Sequence, residues 1–418
     1  MRKRFLLVAV GFLLAGGLLF AGGSGESKAA AGSTIKYMAV AEPISDFIRT
    51  EIIPGFTKET GINVQIDTTD YVKLHDKEVL EFLAGNYDVY QIDQIWVKNY
   101  IKNKWMEPLD SLIKSANINV AAYYSSLLTI CQDGGTTYAL PLSAIPVDYY
   151  YNKDMLAAAG LQPPDTWDDV LNIAKKLNNP PGQWGVAIRG ERGNPITWTF
   201  LPIFWSYGAK IFDANMKPVY NSKEAVSALS FFKELYQYSS PGWHSAQEIA
   251  TMMQQGQAAQ LTLMSVYNAS MDDPAQSKVV GKIMFKDMPK GPTGNRASIL
   301  GMWTIGIGSK SSKKPAAAAF LAYISRPEIA KKLAFSGTVG ATMPATYKDP
   351  QAPRFYPVLG SVLNYVQAPP LIAEAEQWFL SFGTALQDAL SGAKTPQQAM
   401  DDSVAEITKV MTDAGYYK

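Results

Sequence analysis

The sequence predicts a two-lobed α/β protein, and three features carry that expectation: a chain of 418 residues, a strand and helix alternation that begins twice, and an extended stretch between the two beginnings. A chain this long exceeds one ordinary hydrophobic core, so two domains are expected. The first alternation runs from Ile35 to Asp93 as strand, helix, strand, helix, strand. Such an order implies parallel neighbours, because parallel strands need a crossover connection of about a dozen residues or more. The extended stretch is Tyr138 to Lys153, where Pro141 and Pro146 bracket a Ser-Ala-Ile segment and Val147 to Tyr151 favours a pleated strand. It reads as the first strand passing from one lobe to the other.

Each element has its own signal. Ile35 to Val40 alternates as a strand, and Ala41-Glu42-Pro43 opens a helix with proline in its first turn. Phe47, Ile48, Ile52 and Phe56 keep the helical spacing until Thr60-Gly61 stops it. Ile62 to Asp67 is the next strand, Lys73 to Leu83 a helix ended by Gly85-Asn86, and Tyr87 to Asp93 a third strand. Ligands of such sheets sit outside the carboxyl ends of the strands, which points at Glu42, Asp70, Tyr71, Asp93 and Trp96. Beyond the extended stretch the pattern restarts with a capping box at Thr166 to Asp169. A strand over Trp184 to Ile188, helices over Pro195 to Tyr207 and Asn221 to Leu235, and a strand from Gln260 to Met264 follow. Met302 to Ile307 reads as a return crossing, and the proline-rich Pro344 to Pro357 as a third. Helices beginning at Pro315, Pro327, Glu374 and Thr395 fill most of the remainder.

Composition narrows the class. With 38 Lys and Arg against 37 Asp and Glu, the net charge of +1 supplies no broad positive surface for phosphate backbones, so no nucleic acid partner is expected. The amino terminus has the form of a secretory signal peptide over residues 1–23: Met1-Arg2-Lys3-Arg4, an apolar run from Phe5 to Phe20, then Ala21-Gly22-Gly23. Residues 24–33 read as a flexible tether of small and polar residues. An exported protein, periplasmic or extracellular, is therefore expected. Cys131 is the single cysteine, which leaves no intrachain disulfide and no lipobox cysteine at the end of the apolar run.

The motifs of catalysis and metal binding are thin. His75 and His244 stand apart from each other and from Cys131, so a zinc site has no material. No G-x-S-x-G elbow occurs, and Ser111 to Lys114 and Gly306 to Gly308 lack the companion motifs of a nucleophile or a phosphate loop. Tyr149-Tyr150-Tyr151 could offer phenolates to ferric iron, but alternation sends Tyr150 to the opposite face from its neighbours, so core packing is favoured. No catalytic residue, metal or cofactor is expected. Trp and Tyr, at 9 and 22 copies, are the flat-faced side chains suited to stacking on sugars.

A succession of short phrases then carries a resemblance. These are Phe56 to Val64, Tyr87-Asp88-Val89 with Asp93 and Trp96, Met106 to Asp110, Tyr138 to Pro141, Tyr151 to Asp154, Pro164 to Asp169, Gly256 to Ala259, and Ser312 to Ile324. In their order across nearly the whole chain they resemble the extracellular solute-binding proteins of carbohydrate ABC importers, the group that includes maltose-binding protein. The resemblance implies a two-lobed periplasmic-binding-protein fold, each lobe a mainly parallel sheet flanked by helices, the lobes joined by strand crossings. On this pattern residues 34–144 plus 300–345 form one lobe and residues 145–299 plus 346–418 the other. The lobes would close by a hinge over one solute touched by both.

Positions that resemble the family's ligand contacts are Glu42, Asp70, Asp93 and Trp96 on the first lobe and Ser143 in the crossing. Across the cleft they are Arg192, Trp198, Trp205, Met264, Ser265 and Tyr267, with Gly301 and Trp303 at the return crossing, Arg354 in the proline-rich segment and Trp378 on a late helix. The implied ligand is a sugar, sugar alcohol or short oligosaccharide, and the implied partner of this monomer is the importer's membrane permease. A ferric ion, a polyamine or a phosphorylated polyol as ligand, or a secreted carbohydrate-active enzyme, remain the alternative readings.

Overall fold

The structure, a computed structural model, describes residues 32–417. The expected signal peptide and most of the expected tether lie outside the described residues. Along the chain come β1 (Thr34–Val40), β2 (Asn63–Thr69) and β3 (Val89–Asp93), a small hairpin of β4 (Gln132–Asp133) and β5 (Thr136–Thr137), then β6 (Ala139–Pro141) and β7 (Ile145–Asn152). They are followed by β8 (Gln260–Met264), β9 (Ile283–Lys286), β10 (Ser298–Gly301), β11 (Trp303–Ile307) and β12 (Val366–Gln367).

These strands form two five-stranded sheets. The first has the order β2-β1-β3-β11-β6, with β1 parallel to β2 and β3, and β11 antiparallel to both β3 and β6. The second is built around β7, which is buried throughout and pairs antiparallel with β10, β8 and β9, while β12 runs parallel to β10. Parallel pairing in that half is thinner than the sequence pattern suggests. Trp184 to Ile188, expected as a strand, contributes isolated parallel bridges from Trp184 to Ala258 and Ala187 to Leu261.

Local sequence explains the flanking helices. The expected rod from Pro43 to Thr60 is unbroken but widens to a π turn at Ile48–Ile52, just before Pro54, whose ring has no N–H to give to the regular ladder. Gly61 ends it at φ 73°, the left-handed conformation that glycine adopts without strain. Thr166 and Asp169 form the expected capping box of Trp167–Leu177, and Thr395 with Gln398 forms another on Pro396–Asp413. Phe56, Phe320 and Tyr323 pack edge to face beneath the first sheet at 5.2 and 5.5 Å. Phe200, Phe232, Phe382 and Trp378 are the matching aromatic core on the far side of the molecule.

The chain crosses between the sheets at Leu142 to Ala144 and again at Met302, and these two crossings are laced together. The amides of Leu142 and Ser143 donate to the Trp303 carbonyl at 2.9 and 3.1 Å, and the Trp303 amide donates back to Ser143 Oγ at 3.2 Å. A third passage follows the helix Pro327–Leu333: the turn Ala334–Thr338 touches both the helix Pro43–Phe47 and the 3-10 turn Ser265–Tyr267, and Gly340 then pairs with Ala144. The stretch Pro344 to Pro357, expected to be that passage, instead packs beside β7. Its prolines start two short helical segments, Pro344–Lys348 and Tyr356–Val362, as a ring at a first turn can.

Ser143 is fully buried, so alanine there leaves the Trp303 amide without its acceptor. Ser143→Ala should lower unfolding free energy by about 1–3 kcal/mol, measured by urea titration with an unchanged slope.

Candidate ligand-binding site

Where the two sheets face each other, a cavity of about 520 Å³ opens, bounded at its base by Ile145 and Gly301 to Trp303 from the crossings. One wall comes from the carboxyl ends of the parallel strands. Glu42 follows β1, Tyr71 begins the helix after β2, and Asp93 ends β3 directly opposite Trp303 on β11. The other wall holds Arg189, Asn194 and Trp198 beside Met264, which ends β8, and Val266 and Tyr267, which follow it.

The first wall is a bonded set. Asp93 caps the helix Gln94–Lys102 by accepting from the Ile95 amide at 3.2 Å, and its second oxygen accepts from the Tyr71 hydroxyl at 2.9 Å. Trp303 donates from Nε1 to Glu42 at 3.2 Å, and its ring meets Tyr71 edge on at 6.0 Å. Tyr71 is in turn stacked on Trp96 at 5.6 Å. Burial pushes the Asp93 carboxyl up to about 7; the Ile95 and Tyr71 bonds pull it back, while Glu376 and Glu42 add to the rise. Burial likewise raises Glu42, against the Trp303 bond and the charge of Arg189, which hold it down.

The second wall is short of partners. Arg189 has a side chain 16% exposed; Nη1 donates to Met264 Sδ at 3.3 Å, Nε finds no hydrogen-bond acceptor among the described residues, and the carboxylate of Glu191 stands 3.9 Å away. Burial lowers its pKa, although Glu191 and Glu42 favour the charge. Trp198 Nε1 is also buried without a partner among the described residues. Gly301 is what lets that indole lie where it does: a β-carbon at this position would overlap the Trp198 ring. Facing walls of donors and acceptors with aromatic faces between them can hold a small polar molecule that offers both donors and acceptors along an apolar edge.

Of the residues singled out from sequence, the cavity brings together Glu42, Tyr71, Asp93, Trp198, Met264, Tyr267, Gly301 and Trp303. Trp96 and Ser143 stand directly behind it, Trp96 stacked under Tyr71 and bonded from Nε1 to Glu376 at 2.7 Å, Ser143 engaged with Trp303. Ser265 is buried in the turn beside Tyr267. The others lie elsewhere. Asp70 is a solvent-exposed helix cap, Arg192 bonds Thr384 at 2.9 Å on the surface, and Trp205 packs half-buried against the core. Arg354 pairs with Asp272 at 2.6 Å and covers the Phe285 ring, and Trp378 is fully buried against Phe382. Sequence reasoning missed Arg189, yet a signal existed: it directly follows the strand signal Trp184 to Ile188, the position that the carboxyl-end rule favours over Arg192. Asn194, Gln247 and Gln276 carried none.

Two α/β layers joined by laced crossings around a polar and aromatic cleft define a binding protein that encloses its solute between lobes. The chain belongs to the bacterial extracellular solute-binding proteins, whose family model matches residues 25–331. It is 28% identical over 379 residues to a probable amino-acid ABC transporter periplasmic-binding protein of Sinorhizobium fredii, y4oP, covering 87% of this chain and 86% of that one. It is 28% identical over 370 residues to the mannitol-binding protein of Pseudomonas aeruginosa, covering 80% and 83%. Among solved structures, an ABC transporter solute-binding protein of Agrobacterium radiobacter in complex with ribitol superposes with a TM-score of 0.82 at 26% identity over 91% of this chain and 99% of its own. Maltose-bound MalE3 of T. maritima shares the two-lobed fold at 24% identity, with a TM-score of 0.83 over 91% and 100%.

A carboxyl raised by burial stabilises the fold only while protonated: its contribution is full below the ordinary aspartate range and is lost as pH climbs through about 7. Asp93→Asn, which cannot ionise, should therefore gain on the parent chain between pH 5 and pH 8.5, by roughly 3 kcal/mol in urea unfolding, at about 1.4 kcal/mol per pKa unit. A difference that stays flat across that range would show Asp93 to be unshifted.

Proposed function

We propose that the protein captures a neutral polyhydroxylated solute, a sugar or sugar alcohol, and delivers it to the permease of an ABC importer without altering it chemically. The observation that carries this reading is the pairing of Trp303, Trp198, Tyr71 and Tyr267 with Glu42 and Asp93 on one wall and Arg189 on the other. Indole and phenol rings accept the C–H face of a sugar, while carboxylates and a guanidinium take its hydroxyls through charge-assisted hydrogen bonds. Each hydroxyl both donates and accepts, so one polyol can satisfy the acceptors of the first wall and the donors of the second, Arg189 and Trp198, whose Nε and Nε1 have no partner among the described residues.

In this reading the ligand contacts are Glu42, Tyr71, Asp93, Arg189, Trp198, Met264, Tyr267 and Trp303, with Gly301 making room for Trp198. Residues 34–144 plus 300–345 and 145–299 plus 346–418 are the two lobes, and closure draws the walls together. The protein acts as an exported monomer. The ribitol complex and the mannitol-binding protein among its relatives support a polyol in particular.

An α-amino acid is the competing occupant, since it would set its carboxylate on Arg189 and its ammonium near Asp93, in keeping with the relative called a probable amino-acid binding protein. It would leave most of the aromatic surface unused. A thermal-shift panel of ribitol, D-mannitol, maltose, amino acids, polyamines and ferric iron separates these cases, because a ligand of the native state raises its melting temperature. A shift with polyols or sugars alone is the expected result; a shift with amino acids alone would replace the proposal. Trp303→Ala should weaken binding of the responding polyol at least 100-fold, about 3 kcal/mol by titration calorimetry, with circular dichroism near native.

A further inference from the structure

A buried polar cluster stands directly behind the cavity wall on β7 and takes no part in the ligand contacts. Met264, Val266, Tyr267, Ala269 and Ser270 all line the cavity, while Ser265 and Asn268 between them are buried behind it, Asn268 completely. This segment is two short 3-10 turns, Ser265–Tyr267 and Ala269–Asp272, a conformation whose hydrogen bonds are poor and which holds its shape badly unaided.

The inward side chain is tied at both ends. Asn268 Nδ2 donates to Asp148 Oδ2 at 3.0 Å, and Asn268 Oδ1 accepts from the Tyr150 hydroxyl, which also lies 3.1 Å from the Met264 carbonyl. Asp148 and Tyr150 are two apart on β7 and so share a face, and β7 leaves the Leu142 to Ala144 crossing only four residues before Asp148. Tyr347, in the segment that follows the third passage, bonds the Ala341 carbonyl through its hydroxyl at 3.0 Å and lies near enough to Asp148 to feel its charge.

Such a cluster is costly to keep. Asp148 is fully buried, its Oδ1 has no partner among the described residues, and burial pushes the carboxyl up to about 8 even though Asn268 and Tyr150 pull it down. Apolar side chains of the same shape would hold sheet and turn together at less cost, but could not fix the direction of one side chain.

We propose that Asp148 and Asn268 are positioning residues for ligand capture, fixing the turn that carries Tyr267 to the strand that emerges from the crossing. The proposal rests on the cavity being the ligand site, and it makes the cavity's second wall move as one body with β7.

Hydrogen exchange followed by mass spectrometry on the whole chain, together with calorimetric titration of ribitol, D-mannitol and maltose, tests it. Asn268→Ala and Asp148→Leu should each speed exchange of amides 265–270 at least tenfold without ligand, leave β8 and β9 unchanged, and weaken the responding polyol or sugar about tenfold or more. Asp148→Asn, which retains an acceptor for Asn268, should stay within about threefold of the parent on both measures. Faster exchange spread over β7, β8 and β9 alike would mark the cluster as ordinary structural support and overturn the proposal. So would a loosened turn with unchanged affinity. Failure of the parent chain to bind any of the three compounds would overturn the ligand reading instead, while the ligand-free exchange would still decide whether the network holds the turn.

Discussion

The reciprocal bonding of Ser143 with Trp303 is the constraint on which the rest of the molecule depends. Two strands pass between the sheets at adjacent points, and each satisfies the backbone of the other there, so neither crossing can shift without exposing a buried amide or carbonyl. Trp303 also begins the strand that pairs with β3, which brings Asp93 beside it, and its indole bonds Glu42 at the end of β1. One residue therefore belongs to the backbone of the crossing and to the wall of the cavity. A joint that is stiff in bonding yet only a few residues long is suited to rotation of one layer against the other.

The distribution of charge across the cleft follows from the same architecture. Strand ends on the first wall deliver carboxylates into an aromatic setting where burial resists their ionisation, and hydrogen bonds from Tyr71 and Trp303 are what keep them usable as acceptors. The opposite wall delivers a guanidinium with unspent hydrogen-bonding capacity. Among the described residues that second wall does not complete its bonding internally, as the first one does. A solute that touched both would supply the difference, and differential contact of this kind is the only means by which a ligand can favour one conformation over another.

Much of this was legible in the sequence because it is written in local signals. The alternation from Ile35 to Asp93 gave the parallel half of the first sheet, and the proline bracket at Pro141 and Pro146 gave the first crossing. The carboxyl-end rule located Glu42 and Asp93 without reference to any relative. What escaped depended on tertiary contact. Arg189 and Arg192 stand three apart in one loop, and although the carboxyl-end rule favours Arg189, it is the bridges of Trp184 and Ala187 to the β8 region that aim it inward. Trp378 and Trp198 look alike in composition, yet one is stacked within a helix core and the other lies across a glycine. Pro344 to Pro357 shows the limit of reading prolines as breaks, since the same ring also starts a helix.

The contact between Trp198 and Gly301 also bears on how such a site can evolve. The indole occupies the space that any side chain at position 301 would need, so the two positions cannot drift independently. A larger residue at 301 therefore requires that indole to swing away from the crossing, and the cavity wall it forms changes with it. The two positions are coupled. Descendants of this chain that enlarge residue 301 are expected to move or replace the aromatic at 198, and those that keep the indole where it lies to keep the glycine with it.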